Sequence, residues 1–279
     1  MSFFTDRFAD RLGGPSFGKS TEIFKFEAIK RAKRAARLSH PDTPLIDLGV
    51  GEPDSPAYSL ATETLAREAP VSGNRLYADN GIAEFQEAAA RYLSAVYGLP
   101  SLDPATEVMH GIGTKSVYAM LPLAFINPGD VALVTSPGYP ILATHTRYLG
   151  GSVYPLPLRA ENAFLPDLKA IPRDVLGRAK LLYLNYPNNP TGSAATEAFF
   201  REVVDFAHRN RIVVVHDAAY GALVYDGRKP LSFLSTDGAM EVGLEVHSLS
   251  KAFNMTGWRL GFVAGNAEAV AAYAAVKDN

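Results

Sequence analysis

The sequence predicts an α/β protein with a mostly parallel sheet between helices. Short, continuous apolar runs recur between residues 131 and 264, and amphipathic helical patterns separate them. Continuous apolar runs, as opposed to alternating ones, are typical of strands that a parallel sheet buries on both faces. A chain of 279 residues can bury roughly 75% of its unfolded surface, so we expect a self-sufficient core.

The predicted elements follow one another from the N-terminus. Residues 1–20 contain several glycines and are predicted to be an irregular arm, after which a helix is expected from Thr21 to about Leu38. Ile23, Phe26 and Ile29 form its buried stripe, and its basic outer face is expected to be solvated. Further helices are predicted at about 82–96, 141–149, 167–177, 196–209 and 267–276. Strands are predicted at 131–135, 181–185, 212–216, 244–248 and 260–264.

Composition excludes several classes of protein. Twenty-seven basic and 29 acidic residues give a net charge of −2, so we expect neither nucleic-acid nor membrane-surface binding. The absence of cysteine excludes disulfides, zinc–thiolate sites and thiol catalysis, and no metal site is predicted. No apolar stretch approaches the ~20 residues that a bilayer requires. Charged residues near the N-terminus do not fit a signal peptide, so a cytoplasmic location is expected.

Polar side chains follow several predicted strands at the point where each strand ends. Asn189 follows strand 181–185, Asp217 follows strand 212–216, and Ser248, Ser250 and Lys251 follow strand 244–248. Parallel sheets bind ligands at the carboxyl ends of their strands. We therefore expect the functional site at this edge of the sheet.

Two of these segments combine charge with a defined spacing. In SLSK, two hydroxyls and Arg259, eight residues beyond Lys251, could hold a phosphate beside a nucleophilic lysine; an exposed lysine in a loop is the alternative. Asp217 ends a buried strand, where a carboxylate is costly to desolvate unless it meets a cation. The alternative role for Asp217 is to cap the following turn.

Three further segments have a functional and a plain structural interpretation. HGIGTKSVYAM is a glycine-containing loop that enters a helix, where free backbone N–H groups favour a phosphate. YPNNPTG places Asn189 between prolines, as an ordinary turn also would. SPGYP places Tyr139 in a turn, where it could also serve for packing.

Taken in chain order, GTK, SPGYP, NNPTG, D-x-x-Y, S-x-S-K and G-x-R-L-G resemble the motif set of the fold-type I pyridoxal-phosphate enzymes, aminotransferase class I/II. The resemblance extends from about Leu48 to the C-terminus. Within this family the chain is most similar to the LL-diaminopimelate aminotransferases. LGVGEPDSP (48–56), IFKFEAI (23–29), YPNNPTG and AVKDN (275–279) support that similarity.

The resemblance implies a role for each matching residue. Lys251 would bond covalently to pyridoxal 5'-phosphate and later move a proton on the substrate, and Asp217 would pair with the pyridine nitrogen. Tyr220 and Asn189 would bind the phenolic oxygen of the ring, and Tyr139 would stack on its face. The implied phosphate ligands are Thr114, Lys115 (through backbone amides), Ser248, Ser250 and Arg259.

Substrate contacts implied by the resemblance are less complete. Gly51 would lie where the substrate carboxylate approaches, and Tyr139 and Asn189 would also face the substrate. A substrate-contacting tyrosine of the family aligns with Phe24 here, which lacks the hydroxyl. Tyr77 is assigned to the phosphate site of a partner subunit, although it lies four residues before Gly81 where the family has five.

The resemblance also implies domains and a reaction. Residues 1–49 would be an arm and helix of the small domain, and residues 50–279 the large cofactor-binding domain. The rest of the small domain, with the arginine that binds the substrate α-carboxylate, is expected beyond Asn279. A homodimer with a shared active site would exchange an amino group between LL-2,6-diaminopimelate plus 2-oxoglutarate and tetrahydrodipicolinate plus glutamate.

Three alternatives to this reaction remain open. The same cofactor could serve an aspartate, alanine or aromatic aminotransferase, or a lyase. A non-catalytic pyridoxal-phosphate sensor domain is the third alternative. No DNA-binding motif precedes the fold, which argues against it.

Overall fold

The computed structural model of the chain describes residues 3–4, 7–17, 25–49 and 51–279, and for residues 25 and 26 the backbone alone. The chain divides into two compact units, residues 1–52 and residues 53–279. In the part of the chain that the structure describes, no helix combines the length and the apolar character that crossing a membrane requires.

The described residues of the first unit include one long helix. The predicted irregular arm includes two short 3₁₀ turns, Asp10–Leu12 and Gly14–Ser16. Helix α1 (Lys25–Ser39) lies where a helix was predicted, but its predicted start at Thr21, with Ile23 and the Phe26 side chain, lies outside the described residues. Ile29, the remaining member of the predicted stripe, is half-buried. An Arg31–Glu27 ion pair of 3.1 Å lies one turn apart on the exposed face.

A seven-stranded mixed sheet forms the centre of the second unit. Its strands are β1 (Val108–Gly111), β2 (Val131–Ser136), β3 (Ser152–Pro157), β4 (Ala179–Asn185), β5 (Val213–Asp217), β6 (Gly243–Ser248) and β7 (Gly261–Gly265). Their order is β1-β7-β6-β5-β4-β2-β3. All neighbours are parallel except β7, which runs antiparallel to both β1 and β6. The predicted α/β class is confirmed.

Helices connect the strands and cover both faces of the sheet. They are α2 (Ser59–Glu68), α3 (Ala83–Tyr97), α4 (Gly113–Phe125), α5 (Ile141–Tyr148), α6 (Arg173–Leu176), α7 (Glu197–Asn210), α8 (Ala239–Val242), α9 (Leu249–Ala252) and α10 (Ala267–Lys277). The single helix predicted at 167–177 is wrong. A 3₁₀ turn at Leu168–Ala170 and the short α6 replace it, because Pro172 has no N–H to continue a helix.

The two faces of the sheet bury different sets of side chains. One face, which we call the front, packs Tyr183, Val215 and Val246 against Tyr118 of α4. The back face packs Leu184 and Val214 against α3 and α7. Because successive residues of a strand point to opposite faces, the same strand end supplies side chains to both.

Strand register sets the geometry of the front edge. Asn185 pairs with Asp217 across β4 and β5, and Ser248 pairs with Gly261 across β6 and β7. Gly261 in turn pairs with Gly111, the last residue of β1. The carboxyl ends of β4, β5 and β6 and the start of α4 therefore meet at one edge, as predicted.

Candidate active site

Asp217 is the most buried charged group at this edge. Its side chain is only 3% exposed. One carboxylate oxygen accepts a hydrogen bond of 2.7 Å from the Tyr183 hydroxyl, and the other accepts one of 3.0 Å from the Ala219 backbone N–H. The second bond caps the following turn, so that alternative role is present as well. Both donors are neutral.

The surroundings of Asp217 disfavour its charge. Burial raises the pKa of the Asp217 carboxyl above its ordinary value of 3.8, although the Tyr183 hydrogen bond opposes this rise. The fully buried hydroxyl of Tyr118 lies near this carboxyl but makes no regular hydrogen bond with any described residue. A cationic N–H group placed here would supply the charge that the neutral donors lack.

Asn189 and Tyr220 lie together beside Asp217. The Asn189 side-chain amide donates a hydrogen bond of 3.4 Å to the Tyr220 hydroxyl. Asn189 is itself fixed, since its backbone N–H donates to the Asn185 side-chain oxygen at 2.7 Å. Burial, and then the charge of Asp217, raise the pKa of Tyr220, so its hydroxyl keeps its proton near neutral pH. The Asn189 amide and the Tyr220 hydroxyl thus lie next to each other at the front edge.

Tyr139 reaches the same site from the turn after β2. Its ring lies edge-on to that of Tyr118, with centroids 6.4 Å apart. Burial and the charge of Asp217 raise the pKa of the Tyr139 hydroxyl, while Arg259 lowers it. Tyr139 therefore lies within electrostatic range of both charged residues.

The N-terminus of α4 and Arg259 form a second part of the site. Helix α4 begins at Gly113, followed by Thr114 and Lys115, as the G-x-G-T-K segment predicts. The Arg259 guanidinium lies so close to Gly113 that a Cβ atom there would be 2.3 Å from Nη2. Arg259 holds a φ of 59°, uncommon for a residue with a side chain, and donates a 2.8 Å hydrogen bond to the Thr256 carbonyl.

Ser248, Ser250 and Lys251 follow directly at the end of β6. The Ser248 hydroxyl caps α9 by accepting from the Ser250 N–H at 3.2 Å, and both serines are buried. Lys251 lies on α9 and is half-buried, unlike the exposed loop lysine of the alternative interpretation. Gly261 lies between β6 and the first turn of α4. A Cβ atom at Gly261 would be 3.4 Å from the Thr114 methyl carbon. The end of β6 and the first turn of α4 are thus neighbours through Gly261, and Arg259 lies beside Gly113.

The structure does not place three of the predicted residues at this site. Phe24 lies outside the described residues. Gly51 belongs to the first unit and is exposed. Tyr77 is fully exposed and makes no contact with the rest of the site that would assign it there.

Sequence reasoning did not identify four residues that shape the site: Tyr118, Tyr183, Gly113 and Thr256. Tyr183 lies within the apolar run LLYLN, two residues before Asn185 and so on the same face. A tyrosine in a strand buried on both faces requires a hydrogen-bond partner for its hydroxyl. That requirement could have identified Tyr183 from the sequence.

Comparisons with known proteins agree with this geometry. The family profile described as "Aminotransferase class I and II" matches residues 43–279. The chain belongs to that family, whose members depend on pyridoxal phosphate. The family predicted from the motifs is therefore confirmed.

Particular relatives make the similarity more specific. The chain is 59% identical to an LL-diaminopimelate aminotransferase of Methanocaldococcus jannaschii, over 100% of this chain and 66% of the relative. It is 46% identical to the enzyme of that name from Syntrophobacter fumaroxidans, over 92% of this chain and 66% of the relative. The chain thus spans about two thirds of the length of these relatives.

Solved structures share the fold. Substrate-bound BacF of Bacillus subtilis superposes with a TM-score of 0.87 at 35% identity, over 97% of this chain and 66% of that one. An aspartate aminotransferase of Thermus thermophilus gives 0.82 at 29% identity, over 97% of this chain and 67% of that one.

The site residues fit pyridoxal phosphate by three independent features. The buried carboxylate of Asp217 has neutral donors and suits a ring N–H⁺. The orphan hydroxyl of Tyr118 lies beside it. At the other end, the side-chain-free Gly113 leaves the helix N–H groups open beside Arg259, as an anion requires.

Proposed function

We propose that the protein transfers the amino group of LL-2,6-diaminopimelate to 2-oxoglutarate, forming tetrahydrodipicolinate and glutamate, with pyridoxal 5'-phosphate as cofactor. The names of the relatives support the choice of substrate. The observation that carries the cofactor chemistry is the buried Asp217 carboxylate, whose hydrogen-bond donors among the described residues are neutral and which lies beside the Asn189–Tyr220 pair.

Asp217 would hold a proton on the ring nitrogen of the cofactor. When bound, the cofactor supplies an electron sink for the bond that breaks at the substrate Cα. The ionised Asp217 carboxylate would keep the nitrogen cationic, and the Tyr183 and Ala219 donors would keep that carboxylate oriented. Burial strengthens this ion pair because little water competes with it.

Tyr220, Asn189 and Tyr139 would orient the ring. The hydroxyl of Tyr220 and the amide of Asn189 converge and would bind the phenolic oxygen together. Tyr139 would cover one ring face and so exclude water from it. The Lys251 amine would hold the cofactor and afterwards move a proton to and from the substrate Cα.

The opposite end of the site would bind the phosphate. The first N–H groups of α4, at Thr114 and Lys115, combine with the hydroxyls of Ser248 and Ser250. Arg259 adds a permanent positive charge beside Gly113. A dianion bound by such a set would fix the cofactor at the end remote from Asp217.

The wider assignments rest on the family resemblance. Residues 50–279 would be the large cofactor-binding domain and residues 1–49 part of the small domain. Gly51 and Phe24 would contact the substrate, and Tyr77 would serve the partner's phosphate site. A homodimer with a shared site and a cytoplasmic location stay predictions.

Borohydride reduction tests the cofactor assignment. Reduction of the protein loaded with pyridoxal phosphate, followed by peptide mapping, should place the pyridoxyl group on Lys251. Lys180 and Lys115 are internal controls, and label on either in place of Lys251 would refute the assignment.

A panel of amino donors tests the substrate. With 2-oxoglutarate as acceptor, LL-2,6-diaminopimelate should have the highest kcat/KM. A higher value for aspartate, alanine or an aromatic amino acid would refute the substrate and leave the cofactor chemistry in place. Amino exchange with any of these donors would exclude a non-catalytic sensor domain.

A further inference from the structure

A second buried carboxylate lies on the back face of the sheet. Glu245 of β6 is fully buried and accepts four hydrogen bonds, two on each oxygen. The Ser232 hydroxyl and His247 Nε2 contact Oε1 at 2.7 Å each. The Phe233 N–H and His216 Nδ1 contact Oε2 at 2.7 and 2.8 Å. We call these five residues the Glu245 cluster.

The Glu245 cluster holds a negative charge in a dry interior. Burial by itself raises the pKa of the Glu245 carboxyl, but His247 and His216 outweigh burial and lower that pKa well below its ordinary value. A carboxylate is only an acceptor, so the hydrogen-bond network assigns a hydrogen to Nδ1 of His216 and to Nε2 of His247. Nε2 of His216 has no hydrogen-bond partner among the described residues.

The cluster lies directly behind the cofactor residues. His216 pairs with Glu245 across β5 and β6, and Asp217 is the next residue of β5. His247 is followed at once by Ser248, which caps the helix that carries Lys251. Since successive strand residues point to opposite faces, the cluster and the cofactor groups share two strand ends but face opposite ways.

Tyr97 of α3 connects this cluster to the next turn of the site. Its ring lies 5.3 Å from that of His247. Its hydroxyl lies so close to Gly221 that a Cβ atom there would be 2.8 Å away. The turn that ends at Gly221 carries Tyr220, so Tyr97 supports the back of a third cofactor contact.

We propose that Glu245 is a positioning residue, which ties His216 to His247 and so fixes the distance between Asp217 on β5 and the Ser248–Lys251 segment after β6. This inference rests on the proposed function, because it assigns both segments to one cofactor. A cofactor held at both ends tolerates little change in the distance between its two anchors.

If the Glu245 cluster served stability alone, substitution of Glu245 would have a different effect. Loss of Glu245 would then lower stability and leave the cofactor environment of the folded protein intact. The titratable groups around Glu245 are His216, His247, Tyr92 and Tyr97. A change in the charge of these groups alone would reach the cofactor residues only from the opposite face of the sheet.

The test compares three variants in the full protein. Glu245→Gln keeps the size of the side chain and removes its charge. Glu241→Gln is the matched control, since Glu241 forms an exposed pair of 3.6 Å with His208 and lies before the start of β6, away from the carboxyl ends of the strands. Leu156→Ala, at the one buried position of β3, lowers stability without changing any residue of the proposed cofactor site. For each protein we would measure the melting temperature, the Kd of pyridoxal phosphate, and the pH midpoint of its visible absorption band.

Glu245→Gln is expected to weaken cofactor binding at least about tenfold and to shift the pH midpoint of the band, at temperatures where the variant is folded. Leu156→Ala should lower the melting temperature but leave Kd and midpoint unchanged, and Glu241→Gln should change none of the three. An unchanged Kd and midpoint in folded Glu245→Gln, or equal changes in Leu156→Ala, would overturn the inference. A wild-type protein without any absorption band would instead overturn the proposed function, and the inference with it.

Discussion

Asp217 and Glu245 are both buried carboxylates on neighbouring central strands, yet their surroundings differ in every respect. Glu245 accepts four hydrogen bonds, two of them from histidines, and the pKa of its carboxyl is lowered. Asp217 accepts bonds from one hydroxyl and one backbone N–H, and the pKa of its carboxyl is raised. The back face supplies a complete set of donors, whereas the front face supplies a partial one.

This difference separates a structural charge from a functional one. A buried charge is costly unless it is paired and hydrogen-bonded. The protein itself meets that requirement for Glu245. For Asp217 the described residues supply two neutral donors, so on the proposed function the unloaded protein would carry a cost that cofactor binding would remove. The four predictions below act on this difference.

The largest effect is expected for catalysis at Asp217. Asp217→Asn keeps the shape and the Tyr183 bond but cannot hold a proton on the ring nitrogen. Turnover should fall at least about 1,000-fold, or about 4 kcal/mol of transition-state stabilisation. Steady-state kinetics with saturating cofactor measures this, and a variant within about tenfold of wild type would refute the role.

Stability should respond most strongly at Glu245. Glu245→Gln leaves two of the four donors without an acceptor at a fully buried position, so the free energy of unfolding should fall by about 3 kcal/mol. Urea denaturation of the cofactor-free protein measures it. Glu241→Gln, in the exposed pair with His208, should change it by less than about 0.5 kcal/mol. Equal losses in both variants would contradict the contrast between the two faces.

The two carboxylates should give opposite pH dependences of unfolding. Since the Glu245 pKa is lowered, its contribution is complete above its ordinary value of 4.5 and is lost as the pH falls through the folded-state pKa. Since the Asp217 pKa is raised, its contribution is complete below 3.8 and is lost as the pH rises through the folded-state pKa.

Asp217→Asn should therefore stabilise the cofactor-free protein at neutral pH and flatten the pH dependence above 3.8. Urea denaturation at a series of pH values measures both changes. A variant less stable than wild type at pH 7 would show that Asp217 is already adequately paired without the cofactor.

The smallest effect is expected at Tyr220. Tyr220→Phe removes one hydroxyl from the pair with Asn189, and turnover should fall about fivefold, or about 1 kcal/mol. Tyr225→Phe is the control, because that side chain is 72% exposed. A loss of more than about 100-fold would mean that Tyr220 acts on the reacting atoms and does more than orient the ring.

The central strands and the site edge could be predicted because their signals are local. Apolar runs placed β2, β4, β5, β6 and β7 to within two residues at each end. The polar residues after them could be assigned to one edge because parallel strands align their carboxyl ends. The structure indeed groups Asn189, Tyr220 and Asp217 there.

Other elements depended on partners remote in sequence. β3 contains two prolines and an exposed pattern, and it is a strand because it pairs with β2 at the sheet edge. β1 is only four residues long and pairs with β7. Glu245 stands in a strand that reads as LEVHS, and only the folded sheet shows that His216 and Ser232 complete its donors.

The pairing of β1 with β7 has a consequence for the order of synthesis. Gly111 and Gly261 are paired although they lie 150 residues apart (261 − 111). The helix that begins at Gly113 therefore emerges from the ribosome long before Arg259 can reach it. Closing so long a loop delays the contact, so we expect the anion pocket to be among the last parts of this unit to assemble. A nascent chain halted before residue 259 would lack the guanidinium that lies beside Gly113 in the folded unit.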